Sequence, residues 1–354
     1  MRPFELLCAL VATGLGRRPV APDLVAAVAS ADVPWPRLVT LSGTHLLTPA
    51  LAPALADRAL RDAVPDELRQ YLAAMHEAAM LRNQALRAQL EHVAGLLNAI
   101  GIVPMALKGA IRLVDGLWPD PALRFMHDID LLVPADAVAI CASQLAASGW
   151  QPSPDGSHEA EHHLSLHHPE APARIELHRL PLAGPHDRLL PAPQMLARAE
   201  PVGLGGAVVA VPAWEDQLVH LVAHGMLQHA FLESGRFLLR DLVEQTLLTA
   251  RAGTDELRFA GDRFVATSNQ LAWDVSRELC ARCLGDEPSG ATPTCRLIAA
   301  RMMLQQRSPV AMQVLGPAGW LAARLCGVAS ACSVPGRFGD LVAQLAVFRH
   351  KTRW

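Results

Sequence analysis

The chain has 354 residues, 51% hydrophobic and only 18% charged, with 31 basic against 34 acidic side chains and a formal net charge of −3. At roughly 150 residues per domain this length suggests two or three domains with ample core, and the composition excludes disorder and low complexity. The charge balance argues against wrapping large nucleic acid by bulk attraction, and seven dispersed cysteines (Cys8, Cys141, Cys280, Cys283, Cys295, Cys326, Cys332) do not read as a secreted disulfide framework, which favours a reducing cytoplasm.

The N-terminal run MRPFELLCALVATGLGRR loosely resembles a signal peptide, but Glu5 interrupts it, Arg17 and Arg18 close it, and no small-residue cleavage site follows. Residues 1–97 read as a helical region. Its clearest helix covers about residues 83–100, where Leu86, Leu90, Val93 and Leu97 form one apolar stripe at helical period and Gly101 stands at the C-terminal cap. The character then changes over 98–212, which reads as a small α/β core. Residues 102–107 suit a buried strand ended by Lys108-Gly109, and a short helix is expected through Leu117. After the turn Trp118-Pro119-Asp120-Pro121, residues 128–133 (DIDLLV) read as a strand rising into the core, stopped by Pro134.

A helix over 136–148 follows, capped by Gly149. Residues 164–168 and 173–178 read as a hairpin, with Arg174, Glu176 and His178 on one face of the second strand and Ile175 and Leu177 on the other. Residues 181–201 read as a Pro- and Gly-rich loop, and 208–211 as a further strand. From 213 to the end the chain is helical again, closing in a basic tail. Its most apolar stretch, 309–335, is interrupted by Gln313, Pro317 and Arg324, whereas a membrane span wants about 20 uninterrupted apolar residues. A buried helix or a surface for a partner protein is expected there, and no membrane span.

The chemistry-bearing feature is Asp128-Ile129-Asp130. Carboxylates at i and i+2 of a strand project from the same face a few ångströms apart and repel unless a cation sits between them. Mg²⁺, with its hard oxygen ligands and open positions for water and phosphate, is the natural resolution. Such a pair also occurs on solvated strand edges, so Glu176 matters. It is an acid between Ile175 and Leu177, costly in that place unless it pairs or binds metal. Three carboxylates on neighbouring strands fit a two-metal phosphoryl-transfer site. Lys108-Gly109, at a strand-to-helix junction, adds a point charge and a residue that lets the backbone approach a phosphate. Arg124, four residues before Asp128, either neutralises phosphate charge or orders its loop through a salt bridge to Asp120 or Asp128.

These pieces in order (ALKGA at 106–110, WPDPALR at 118–124, DIDLLV at 128–133, IELH at 175–178, then Trp214-Glu215-Asp216, His220, His224 and Arg240-Asp241) resemble the uncharacterised nucleotidyltransferase-like family of bacteria, a branch of the polymerase-β-like nucleotidyltransferase superfamily. The resemblance spans roughly residues 107–249. It implies an α+β fold: a small mixed sheet flanked by N-terminal and C-terminal helical regions. It also implies Asp128, Asp130 and Glu176 as Mg²⁺ or Mn²⁺ ligands, with Glu176 helping to deprotonate the incoming hydroxyl. The superfamily's usual Gly-Ser or Gly-Gly is replaced here by Lys108-Gly109, which leaves open how the triphosphate is held. The implied activity is transfer of a nucleotidyl group from an NTP, ATP first, to a hydroxyl of a small molecule or of a peptide or protein. A kinase-like phosphotransferase on the same carboxylates, or a non-catalytic nucleotide-binding regulator, is the alternative.

Fifteen histidines invite a metal reading. The cluster His158, His162, His163, His167 and His168 falls on a loop and on alternating strand faces, so a solvated or substrate-contacting loop is expected rather than zinc. His178 shares a face with Glu176 and is placed to touch substrate or orient the acid. His220 and His224, one helical turn apart, read as core or interface residues, and the isolated Cys280-Ala281-Arg282-Cys283 as neither a zinc nor a redox motif.

Overall fold

The computed structural model describes residues 1–153, 163–287, 290–308 and 310–319. Helices α1 (Pro3–Gly14), α2 (Pro22–Val28) and α3 (Trp35–Thr44) each carry proline in the first turn, where its fixed φ suits the helix and its missing N–H is not needed. A short α4 (Leu51–Leu55) leads into α5 (Asp66–Asn98), a helix of 33 residues. The apolar stripe at Leu86, Leu90, Val93 and Leu97 is wholly buried. Upstream of Asn83 the helix is mostly exposed, and the stripe is too sparse there to announce it.

Strand β1 (Met105–Leu107) follows, then a 3₁₀ segment (Lys108–Leu113), β2 (Ile129–Leu132), α6 (Val138–Ala147), β3 (Gln151–Pro152), β4 (His163–His167) and β5 (Ile175–His178). Helix α7 (Ala192–Arg198) and strands β6 (Glu200–Leu204) and β7 (Ala207–Val211) complete the sheet part. Among the described residues the sheet has seven strands in the order β3-β4-β5-β2-β1-β7-β6, with β2·β5 and β1·β7 parallel and the other pairs antiparallel. The fold is therefore α+β around one mixed sheet. Helix α7 and the first residues of strand β6 fall where the sequence suggests loop, and the rest of β6 falls in residues to which the sequence assigns no element. Pro201 and Gly203 disguise the strand, but an edge position tolerates both. The hairpin turn to β7 uses Gly205 at φ +57, and the Gly206 N–H donates to Glu91 on α5 over 2.9 Å.

The helical second half comprises α8 (Trp214–Ala223), a π-helical turn (His224–Gln228), α9 (Phe231–Ser234), α10 (Leu239–Arg251), α11 (Thr254–Ala266), α12 (Gln270–Leu284) and α13 (Pro293–Arg307). Of the apolar stretch 309–335, residues 310–319 are helical and the rest lies outside the described residues. No described helix is long and apolar enough to cross a membrane.

Strand alternation divides the apolar interior in two. Ala106, Ile129, Leu131, Ile175, Leu177 and Val209 face the α5 stripe and α6. Met105, Leu107 and Leu132 face the other way, into a core shared by α1–α4 and the helices from α8 onward. Asp130, Glu176 and His178 alternate with the first set, so they lie on the second face, under the helical half.

One buried ion cluster clamps that half to the sheet. Arg112, in the 3₁₀ segment after β1, donates from Nε to Glu244 Oε1 on α10 at 2.8 Å and from Nη1 to Gln217 Oε1 on α8 at 2.7 Å. It also pairs with Asp115. Arg124 Nε reaches the other oxygen of Glu244 at 2.7 Å. Burial alone would raise the Glu244 carboxyl, but Arg112, Arg124 and Arg240 pull it from its ordinary 4.5 to about 2. The stabilisation from its ionised form is thus full above pH 4.5 and is lost as pH falls toward about 2. Glu244→Gln strands two buried guanidinium groups, and urea unfolding at neutral pH is expected to show a loss of about 3–5 kcal/mol. The variant should also lose the wild type's added decline of stability between pH 4.5 and about 2. Unchanged stability in urea would show that the cluster holds nothing.

Candidate active site

Parallel pairing of β2 with β5 puts Asp130 directly opposite Glu176, and antiparallel pairing with β1 puts Leu107 opposite Asp130. The next residue, Lys108, therefore leaves β1 beside both acids. It does so with φ +49, the left-handed region that a side chain rarely adopts and that costs of order 1–3 kcal/mol unless the surroundings fix it. Helix α5 steadies the entries to the strands. Arg82 Nε donates to the Met126 carbonyl at 2.9 Å and Arg82 Nη2 to that of His127 at 3.1 Å. Gln89 holds Ala173 by a hydrogen bond in each direction, 2.8 and 3.1 Å. Asn83 donates to the carbonyls of Pro121 and Arg124 at 2.6 and 2.9 Å.

The result is a compact polar cluster. Lys108 Nζ is 2.7 Å from Asp130 Oδ1 and 3.8 Å from Glu176 Oε2. His178 Nε2 is 2.9 Å from the same Asp130 oxygen and 3.4 Å from the same Glu176 oxygen. Asp130 is 1% exposed and His178 fully buried, whereas the side chains of Lys108 and Glu176 are each 23% exposed and form the open side. Asp128, just before β2, is half-buried beside them.

Electrostatics separates the two aspartates. Burial opposes ionisation of Asp130, but the Lys108 ammonium and His178 hold its carboxyl well below the usual range. Burial also opposes charge on His178 and Lys108. Hydrogen bonds to Asp130 and Glu176 nonetheless raise the imidazole, and the charges of Asp130 and Glu176 raise the ammonium. Asp128 has no hydrogen-bonded cation among the described residues. Burial, then the like charges of Asp130 and Glu176, push it up to about 6 against the opposing pull of Lys108. Arg240, at the start of α10, is raised chiefly by Asp241 and Glu244 once burial is overcome, and Asp128 adds to this.

Ligand atoms of Asp130, Glu176 and His178 lie within 4.8 Å of one another, close enough to hold one metal ion. Of the expected set, Asp130 and Glu176 stand together on one face, and the third member of the group that can chelate together is His178; Asp128, just before β2, lies outside that group. Two carboxylate oxygens and an imidazole nitrogen within chelating distance are a donor set that a divalent ion such as Mg²⁺ or Mn²⁺ can share.

Two of the residues singled out in the sequence have packing and pairing partners that spacing does not suggest. A Cβ on Gly109 would stand 2.9 Å from Met126 Cγ and 3.0 Å from Sδ, so this glycine makes room for buried Met126. Arg124 bonds neither Asp120 nor Asp128. It is buried on Glu244 and donates from Nη1 to the Phe125 carbonyl at 2.6 Å, while Asp120 takes His76 at 2.5 Å and caps the Pro121–Leu123 turn.

His220 bonds the Pro181 carbonyl at 2.8 Å, and burial lowers it to about 3. It packs edge-on against the half-buried His224, and neither joins a metal-capable group among the described residues. His167 bonds the Gln151 carbonyl at 3.1 Å and His168 packs on Trp150. His158 and His162 lie outside the described residues. Cys280 and Cys283 are buried free thiols.

Sequence reasoning passed over Arg112, Glu244, Asn83 and Gln89, the residues that aim the strands. Glu244 carried the same cue as Glu176, an acid beside Leu242, Val243 and Leu248. In chelator-treated protein, carbon-13 titration of the Asp128 carboxyl is expected to show a midpoint of about 6. In Asp130→Asn the midpoint should move toward 3.8, because a like charge is removed while burial stays. An unmoved midpoint would assign the whole effect to burial.

Residues 31–285 match the model of a family described as uncharacterised nucleotidyltransferase. Among solved structures, the solution structure of the antibiotic-resistance factor ANT(2'')-Ia aligns at 12% identity and a TM-score of 0.40, over 55% of this chain and 98% of that one. No curated protein sequence matches. With most of its length inside that family model, from the N-terminal helices through the sheet to α12, the chain belongs to the uncharacterised nucleotidyltransferase family.

Proposed function

We propose that the protein transfers a nucleotidyl group from an NTP, ATP first, to a hydroxyl of a small-molecule or peptide acceptor in the presence of Mg²⁺ or Mn²⁺. The observation that carries this reading is the pairing of Asp130 and Glu176 on one sheet face beside Lys108, with Asp128 close enough to feel the charge of both, in a chain of the nucleotidyltransferase family. Asp130, Glu176 and Asp128 would hold the metal, which when bound supplies Lewis acidity and neutralises phosphate charge.

Glu176 stands on the open side and takes the proton of the incoming hydroxyl, while His178 keeps its carboxylate turned toward Asp130. Lys108, also on the open side, carries phosphate charge. Arg124, sequestered on Glu244, has a positioning part. In the overall reaction the acceptor oxygen bonds the α-phosphorus as the bond to the pyrophosphate oxygen breaks, and pyrophosphate leaves.

In this plan segment 98–212 supplies the carboxylates, and the described helices of segments 1–97 and 213–354 pack around the sheet. The small net charge disfavours large nucleic acid as acceptor. Buried free thiols at Cys8, Cys141, Cys280, Cys283 and Cys295 support a reducing, cytoplasmic setting.

The test is mass spectrometry of small-molecule and peptide acceptor panels after incubation with each NTP and Mg²⁺. A nucleoside monophosphate adduct with released pyrophosphate is the expected product. A phosphoryl adduct with released NDP would make the enzyme a kinase, and no adduct in any panel would favour a binding protein. Loss of an outer partner of a metal site already costs 10–100-fold, so Asp130→Asn should lower the rate at least ~100-fold while the circular dichroism stays native. Persistent activity in that variant would overturn the site.

A further inference from the structure

The chain holds only two lysines, Lys108 and Lys351, among 31 basic residues, and one of them is at the carboxylates. Its ammonium and His178 already share one oxygen, Asp130 Oδ1, at 2.7 and 2.9 Å. A divalent ion such as Mg²⁺ needs a carboxylate oxygen at about 2.0–2.1 Å, which an ammonium on that same oxygen obstructs by size and by charge. An ammonium on Oδ1 and a metal ion on the same carboxylate also repel each other, so of the two groups now holding Asp130 the freer one is the one to give way. His178 is fully buried and pinned in β5, whereas Lys108 is 23% exposed on a flexible stem facing the open side. Its backbone sits in the left-handed region, so the site maintains a side chain where glycine would be the unstrained choice.

We propose that Lys108 is a built-in cation that competes with the divalent metal for Asp130, and that its displacement by the metal frees the ammonium for the nucleotide's phosphates, so that metal entry precedes tight nucleotide binding. This rests on the metal-site reading above. It adds an order of binding and a two-position role for one residue. A fixed guanidinium could not alternate in this way, because its planar fork prefers a bidentate grip on one carboxylate.

Two measurements test it without recourse to activity. The first is Mn²⁺ titration by electron paramagnetic resonance in nucleotide-free wild type, Lys108→Met, Lys108→Arg and Asp130→Asn. Couplings between sites commonly run 5–150-fold, so Lys108→Met is expected to bind Mn²⁺ ~10-fold more tightly and Mn-ATP ~10-fold more weakly than wild type. Lys108→Arg, which keeps the charge, should show no gain for Mn²⁺, and it serves if the methionine variant does not fold. The second is pulse labelling with an amine-reactive reagent, read on the peptide containing Lys108 with the N-terminal amine as reference. Labelling of Lys108 should rise several-fold with Mn²⁺ and fall again with Mn-ATP.

If Mn²⁺ binds to wild type, is lost in Asp130→Asn, and leaves both the Lys108→Met affinity and the Lys108 labelling unchanged, the competition is overturned while the metal site stands. If neither wild type nor Lys108→Met binds Mn²⁺, the metal-site reading falls and the competition with it.

Discussion

Asp130 is a carboxylate inside the protein, paired across the sheet with Glu176 and followed in space by Asp128. An anion so enclosed has to be neutralised by neighbours, and much of the local architecture answers that demand. The short strand β1 ends where it delivers Lys108 to the anion, and β5 carries His178 two residues past Glu176. Asp128, half-buried beside Asp130 and Glu176 with the more distant pull of Lys108, is the group whose ionisation suffers. The division of labour between the two aspartates is therefore set by position relative to Lys108 and His178, with no difference in residue type.

A second enclosed anion, Glu244, solves a mechanical problem. The acids lie on the sheet face covered by helices that arrive more than eighty residues after β2, and nothing in the sheet itself fixes where α10 sits. Glu244 draws in Arg112 from the segment just after Lys108 and Arg124 from the loop just before Asp128. Both ends of the site are thereby tied to one side chain of α10. On the opposite sheet face, the stripe of α5 and its Arg82, Asn83 and Gln89 hold the strand entries. The site is gripped from both layers through groups that do not themselves reach the carboxylates.

This arrangement explains what could be read from sequence. Period-two alternation makes Asp130, Glu176 and His178 legible, because the faces of β2 and β5 follow from residue parity once the strands are recognised. The α5 stripe is legible for the same reason at helical period, though only along the half that packs. Partners are another matter. That Arg124 bonds Glu244, 120 residues away, depends on how α10 docks, and sequence spacing offered Asp120 and Asp128 instead. Gly109 reads as a phosphate approach because glycine lacks a side chain, but what fills the vacated space is Met126, a residue that no local pattern connects to it. Strand β6 escaped because its edge position permits the proline and glycine that disqualify a central strand.

The choice of lysine at 108 follows from the same constraint. A chain that otherwise meets its need for positive charge with arginine uses an ammonium beside Asp130, where it is one of two donors on a single oxygen. Arginine suits Glu244, whose two oxygens each accept from the Nε of a different buried guanidinium, with further N–H groups held by Asp115, Gln217 and the Phe125 carbonyl. Beside Asp130 a fork would lock the carboxylate for good, whereas a point charge on a flexible stem satisfies the buried anion and can still be exchanged. The permanence of the Glu244 cluster and the exchangeability of the Asp130 cluster thus come from the choice of cation, and the strained backbone at Lys108 keeps the exchangeable one in reach.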